Sequence, residues 1–154
     1  MSAQILDADT PSTIDQVRAL FQEYWASFGF TPCFQGFQSE LDALPGAYAA
    51  PLGRLLLATI DGEAAGCIAL RPVDETRCEA KRLYVRPKFR GSGLGRALLE
   101  RIIEEARAAG YKELIGDTLP VMDRALVLYD RIGFERVAAR SGGAEDTIYI
   151  RMPL

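Results

Sequence analysis

Leu83-Tyr84-Val85-Arg86-Pro87-Lys88-Phe89-Arg90-Gly91-Ser92-Gly93-Leu94-Gly95-Arg96 decides how this chain folds. Its first three residues close a strand-like run over 78–85. Its last three open a helical pattern over about 93–109, with Leu94, Ala97, Leu98, Ile102 and Ala106 on the inner face and Gly110 as the stop. A glycine-rich turn joins the two. The first N–H groups of a helix lack intrahelical acceptors, and the helix dipole is positive there. Glycines let a ligand approach the backbone, so the turn reads as a pyrophosphate cradle flanked by Lys88, Arg90 and Arg96. The plainer alternative is a turn required only for packing. The dinucleotide fingerprint fails because Arg96 stands where its third glycine belongs, and the mononucleotide loop fails for want of Gly-Lys-Ser/Thr.

Outward from this stretch, a short strand is expected at 3–8. Asp9-Thr10-Pro11-Ser12 then supplies a cap and a proline for a helix over 12–28. A second helix is expected at 37–44. Two apolar runs, 54–60 and 63–70, flank Asp61-Gly62, a strong hairpin signal. Arg71-Pro72-Val73-Asp74 reads as a turn. After the long helix come a strand at 112–117, a helix at 122–132 ended by Gly133, and closing strands at 134–139 and 147–152. The order β-α-α-β-β-β-α-β-α-β-β describes an α+β protein in three α/β/α layers. Its central sheet is mixed and mostly antiparallel, with about seven strands, and residues 1–154 form one domain.

Composition narrows the chemistry. Of 154 residues, 49% are apolar and 25% charged, and none is histidine. A serine–histidine–acid triad, a Cys/His pair and histidine-based zinc sites are therefore excluded. Cys33, Cys67 and Cys78 lack metal or redox spacing, so no metal is expected, and three thiols suggest a reducing, cytoplasmic setting. No membrane span is expected. The net charge of −3 argues against nucleic acid, yet residues 81–96 hold Lys81, Arg82, Arg86, Lys88, Arg90 and Arg96 with no acid. The remainder carries 12 basic against 21 acidic residues. Such an island suggests a localised anionic ligand; a solvated charged loop is the alternative.

Arg90-x-x-Gly93-x-Gly95, following Leu83-Tyr84-Val85, resembles the acetyl-CoA-binding motif of the GNAT superfamily of N-acetyltransferases. Ala125-Leu-Val-Leu-Tyr129-Asp-Arg-Ile-Gly133-Phe134 resembles a second motif of that family. Both stand in the family's order, within an element order similar to the acyl-CoA N-acyltransferase fold. The resemblance implies acetyl-CoA as co-substrate and transfer of its acetyl group to a primary amine of a small molecule or peptide, by direct attack in a ternary complex. It places the Leu83, Tyr84 and Val85 backbone beside the pantetheine arm. The N–H groups of Gly91, Ser92, Gly93, Leu94, Gly95 and Arg96 then face the pyrophosphate. The Val85 N–H becomes the oxyanion donor, and Tyr129 the acid that protonates the departing thiolate. Met122 occupies the position where many relatives carry an Asn that contacts CoA, a contact that Asp117 or Thr118 would have to supply.

An amine of ordinary pKa near 10.4 must lose a proton before it attacks. Glu79 is the candidate base, directly or through water, on the same offset from Arg90 as in some family branches. Alternation in an unbulged strand would put it on the face of Leu83 and Val85; a bulge would change that. The alternative is an exposed glutamate paired with Lys81 or Arg77. For Tyr129 the alternative is a core position beside Ala125, Leu128 and Ile132. Cys78 as a covalent acetyl carrier lacks an adjacent base. On the acceptor side, Phe30, Phe34 and Phe37 are candidate pocket walls, and Glu40, Asp42, Glu145 and Asp146 are candidate attractants for a cation. A non-catalytic acyl-CoA sensor and a nucleotide binder are the competing functions, and a homodimer is left open.

Overall fold

The computed structural model describes residues 2–29, 36–118, 123–137 and 148–154. Seven strands form one sheet: β1 (Ala3–Asp7), β2 (Arg54–Ile60), β3 (Glu63–Pro72), β4 (Arg77–Val85), β5 (Glu113–Thr118), β6 (Glu135–Val137) and β7 (Ile148–Pro153). Their spatial order is β1-β2-β3-β4-β5-β7-β6. Every neighbouring pair is antiparallel except β4 with β5, which the intervening helix makes parallel. The expected mixed, mostly antiparallel sheet is therefore present.

Helices α1 (Pro11–Ala26) and α2 (Phe37–Ala43) cover one face, and α3 (Leu94–Ala108) and α4 (Asp123–Ile132) the other. Thr10 and Thr13 close a capping box at the start of α1, with Pro11 in its first turn. The hairpin forms at Asp61-Gly62, both with positive φ, which the tight primed turns require. The next turn lies later than expected: β3 runs through Pro72, and Asp74 Oδ1 accepts the N–H groups of Thr76 and Arg77. In α3 the buried face is Leu94, Leu98, Leu99, Ile102, Ile103 and Ala106, while Ala97, expected inside, is exposed. Complete burial of Leu98, Leu99 and Ile102 contributes about 1.5–3 kcal/mol each.

Strand β4 departs from simple alternation. Cys67 pairs with Tyr84 and Ala69 with Lys81, so Ile68 alone faces both Arg82 and Leu83. This β-bulge holds Arg82 at φ 63°, a left-handed conformation uncommon for a side-chain-bearing residue. Its guanidinium lies 4.9 Å from the Trp25 ring centroid and 5.2 Å from that of Phe37, and donates to both Glu40 oxygens at 2.9 Å. Before the bulge, Cys78 and Ala80 face α3; after it, Leu83 and Val85 do. Glu79 therefore falls on the α1/α2 face, opposite to Leu83 and Val85, and the unbulged alternation does not hold.

Candidate active site

The parallel pairing of β4 with β5 is short. It runs Arg77 with Glu113, Cys78 with Leu114 and Glu79 with Ile115, and then stops while both strands continue. The bulge at Arg82 bends the far half of β4, and the strands part. A cavity of about 640 Å³ occupies this split and reaches both faces of the sheet. Tyr24, Phe28, Lys81 and Asp117 line it from the α1/α2 side; Val85, the glycine turn, Leu128 and Tyr129 line it from the α3/α4 side.

On the α3/α4 side the cavity brings the edge of β4 and the glycine turn together. Residues 83–85 and 90–96 line the cavity, Ser92 excepted, whose hydroxyl donates to the Phe89 carbonyl at 2.6 Å. Gly91 and Gly93 have φ 85° and 83°, and a Cβ on either would meet nothing within 4 Å. Their freedom thus serves backbone conformation and leaves the space above them open. Gly93 caps α3 without a side chain, so the N–H groups of its first turn keep no protein partner from a cap. Arg86 N–H bonds to Ala65 O of β3, so alternation turns the Val85 N–H toward the split. An extended amide-bearing ligand with an anionic group fits this edge and this cradle.

Tyr129 is 8% exposed and packs edge-on against Phe134, with ring centroids 5.4 Å apart. It is both a core residue and a cavity residue. Its hydroxyl forms no hydrogen bond among the described residues, and no sealed side-chain polar atom there lacks a partner. The hydroxyl therefore opens onto the cavity. Burial pushes the phenol well above its ordinary value, with the Tyr24 and Asp117 charges adding to the rise, so it stays protonated.

Glu79 is placed differently from either sequence expectation. It is 2% exposed, and its partner is Arg71, directly opposite in the β3–β4 register, with Nη2 to Oε1 at 2.7 Å. Arg77 pairs with Asp74 instead. Glu79 sits at the vertex of the split, in the last paired position, but does not line the cavity.

Other expectations are corrected. Phe37 stacks on Trp25 at 4.3 Å and 13° and is 2% exposed, a core residue rather than a pocket wall. Glu40 is committed to Arg82, and Asp42 accepts from Gln38. Cys78 faces the α3 cluster, away from the face of Glu79, with its thiol pushed up to about 12 by burial. Phe30, Cys33, Phe34, Met122, Glu145 and Asp146 lie outside the described residues. The basic island is not one surface: Arg82, Arg86, Lys88 and Arg96 pair with Glu40, Glu23, Glu63 and Glu100. Among the described residues no helix is long and apolar enough to cross a membrane. The sequence does not mark the lining of the α1/α2 side by Tyr24, Phe28, Lys81 and Asp117. Only the spacing of Lys81 two residues after Glu79 hinted at it.

The fold is that of solved acetyltransferases. The acetyltransferase from Streptococcus agalactiae superposes with a TM-score of 0.81 at 22% identity, over 99% of this chain and 98% of that one. An aminoglycoside 6′-N-acetyltransferase complexed with coenzyme A superposes with a TM-score of 0.73 at 17% identity, over 99% and 97%. The sequence is more specific. The model of the acetyltransferase (GNAT) family matches residues 15–134. An uncharacterized N-acetyltransferase of Schizosaccharomyces pombe is 39% identical over 127 residues, 81% of this chain and 78% of that protein. The chain belongs to the acetyltransferase (GNAT) family and is an acyltransferase enzyme, as the sequence motifs implied.

Proposed function

We propose that this enzyme transfers the acetyl group of acetyl-CoA directly to a primary amine, with both substrates bound together in the split between β4 and β5. The observation that carries this reading is the Tyr129 hydroxyl, protonated and opening onto the same cavity as the glycine turn. Acetyl-CoA supplies an activated acyl group when bound. Leu83 and Val85 would hold its amide-bearing arm as an added strand, and the N–H groups of the turn and the first turn of α3 its pyrophosphate. The Val85 N–H donates to the carbonyl oxygen as negative charge develops there. The amine nitrogen bonds to the carbonyl carbon and the carbon–sulfur bond breaks. Tyr129 gives its proton to the departing thiolate and recovers one from the nitrogen through solvent.

The proton that the ammonium sheds before attack passes to Glu79 through water, since Arg71 holds that carboxylate at the vertex, outside the cavity lining. The reaction uses one chain as a single domain. A cytoplasmic location agrees with the free thiols of Cys67 and Cys78.

The test is release of CoA thiol from acetyl-CoA with a panel of primary amines, beside titration of acetyl-CoA alone. Turnover with at least one amine is expected. Tight binding of acetyl-CoA with no turnover on any amine would make the protein a sensor; binding of oligonucleotide but not of CoA would overturn the reading entirely. Glu79→Gln is expected to lower kcat and flatten the acidic limb of its pH profile, and an unaltered profile would leave proton removal to water alone.

A further inference from the structure

Extending the parallel register of β4 and β5 by two residues past Glu79 and Ile115 brings Lys81 opposite Asp117 across the split. Ala80 and Gly116 confirm that the strands are still neighbours one step earlier: a Cβ on Gly116 would lie 3.6 Å from the Ala80 carbonyl oxygen. Leu114 packs in the α3 cluster, so alternation turns Asp117 to the α1/α2 face, the face of Lys81. Both residues line the cavity. They carry opposite charges where the strands separate, yet Lys81 forms no ion pair among the described residues.

The other charges on that face are already matched. Glu40 holds Arg82 with both oxygens, and Glu79 holds Arg71. Half-buried, the Lys81 ammonium is the remaining cation on this side of the cavity among the described residues. Burial and the neighbouring Arg82 pull its pKa down, against Glu79 and Asp117. A half-buried cation beside a reaction centre for amines is a selective device. A bare ammonium entering this cavity meets a like charge. An acceptor that brings its own carboxylate meets a counter-charge at Lys81 while its nitrogen lies toward Asp117.

We infer that the acceptor is a free amino acid, its carboxylate held by Lys81 and its ammonium by Asp117 across the split between β4 and β5. The inference rests on the acetyl-transfer reading above and adds the acceptor class. In such a substrate the amine and the carboxylate are one carbon apart, so a single small molecule spans the gap between the two strands. The reaction stays balanced as before: the ammonium sheds one proton, the N–C bond forms, the C–S bond breaks, and the products are an N-acetylated amino acid and CoA thiol. A peptide N-terminus, whose neighbouring carbonyl is an uncharged amide, gives Lys81 no counter-charge.

The experiment compares common L-amino acids with their amides and with the matching amines that lack the carboxyl group, reading CoA release at fixed acetyl-CoA. At least one amino acid is expected to exceed its amide and its amine by about 10- to 100-fold in kcat/KM, the scale of a charge-assisted contact. Lys81→Gln is expected to raise KM for that amino acid and to level the preference, and Lys81→Arg to restore most of it. Titration with acetyl-CoA checks that each variant is folded. Amides or simple amines acetylated as well as the amino acids would overturn the inference and leave acetyl transfer standing. A preference that survives Lys81→Gln overturns it too. No transfer to any acceptor would overturn both.

Discussion

Arg82 and Glu40 form a two-pronged ion pair, both contacts 2.9 Å long, across 42 residues of sequence. The pair ties α2 to the bulge of β4, and the guanidinium lies against the stacked rings of Trp25 and Phe37 in the same core. The Arg82 side chain is 11% exposed and that of Glu40 24%. Glu40→Ala would leave this cation without its carboxylate in a nearly dry place. A loss of about 2–3 kcal/mol is expected, measured by urea unfolding, because removal of one partner exposes the other to its full desolvation cost. A loss below about 0.5 kcal/mol would mean that the aromatic rings alone hold Arg82.

The same pair predicts how stability responds to acid. Burial pushes the Glu40 carboxyl up, but the hydrogen bond and charge of Arg82 outweigh it and leave the group below its ordinary value of 4.5. The folded protein therefore holds this proton less readily than the unfolded chain. The contribution is complete above about pH 4.5 and fades as pH falls through the lower folded value. Glu40→Gln should flatten that part of the stability profile, read from urea midpoints from neutral pH down to about pH 3. An equal slope in both proteins would place the acid sensitivity elsewhere.

Tyr129→Phe removes a hydroxyl that bonds to no described residue, so folding stability should change by less than about 0.5 kcal/mol. The rate should not escape so lightly. A fall in kcat of about 10²-fold or more is the scale for losing a general acid. Since burial raises the phenol above its ordinary 10.0, the native enzyme should show no loss of kcat from its ionisation up to that pH. Stopped-assay profiles check both points, and an unchanged kcat in the variant would return Tyr129 to a purely packing role.

Gly93→Ala separates backbone freedom from ligand access. At φ 83° alanine is strained by about 1 kcal/mol, although its methyl group would touch nothing in the protein. Acetyl-CoA binding should nevertheless weaken by about tenfold or more, an effect of about 1.4 kcal/mol, because the methyl group would stand in the cradle. Calorimetric titration measures this directly. Native affinity in the variant would move the anion away from that N–H group.

Local signals marked the elements well. The hairpin at Asp61-Gly62, the capped start of α1 and the glycine turn before α3 each depend on a few adjacent residues, and each is where the sequence suggested. What escaped depends on register. No local rule gives Arg82 a positive φ; its distant partner Glu40 holds it there. The bulge, which alternation alone leaves open, puts Glu79 on the face opposite Leu83 and Val85, and its cross-strand partner is Arg71 rather than Lys81 or Arg77. Lys81 comes opposite Asp117 only when the parallel register of β4 and β5, which ends at Glu79 and Ile115, is carried on by two residues, a relation between distant segments that no local pattern marks. Phe37 looked like a pocket wall because the sequence showed its loop and not the stacking of its ring on Trp25.

The bulge also makes β4 a strand of two phases. Its first half presents Glu79 and Lys81 to the α1/α2 face, and its second presents Leu83 and Val85 to the α3/α4 face, with the change of phase at Arg82. On the acetyl-transfer reading proposed above, substitutions in one half would alter acceptor choice while the other half keeps its hold on acetyl-CoA. Deleting one residue within either half, away from the bulge, would turn the residues beyond it to the opposite face. The spacing of this strand is therefore far less tolerant of change than its composition.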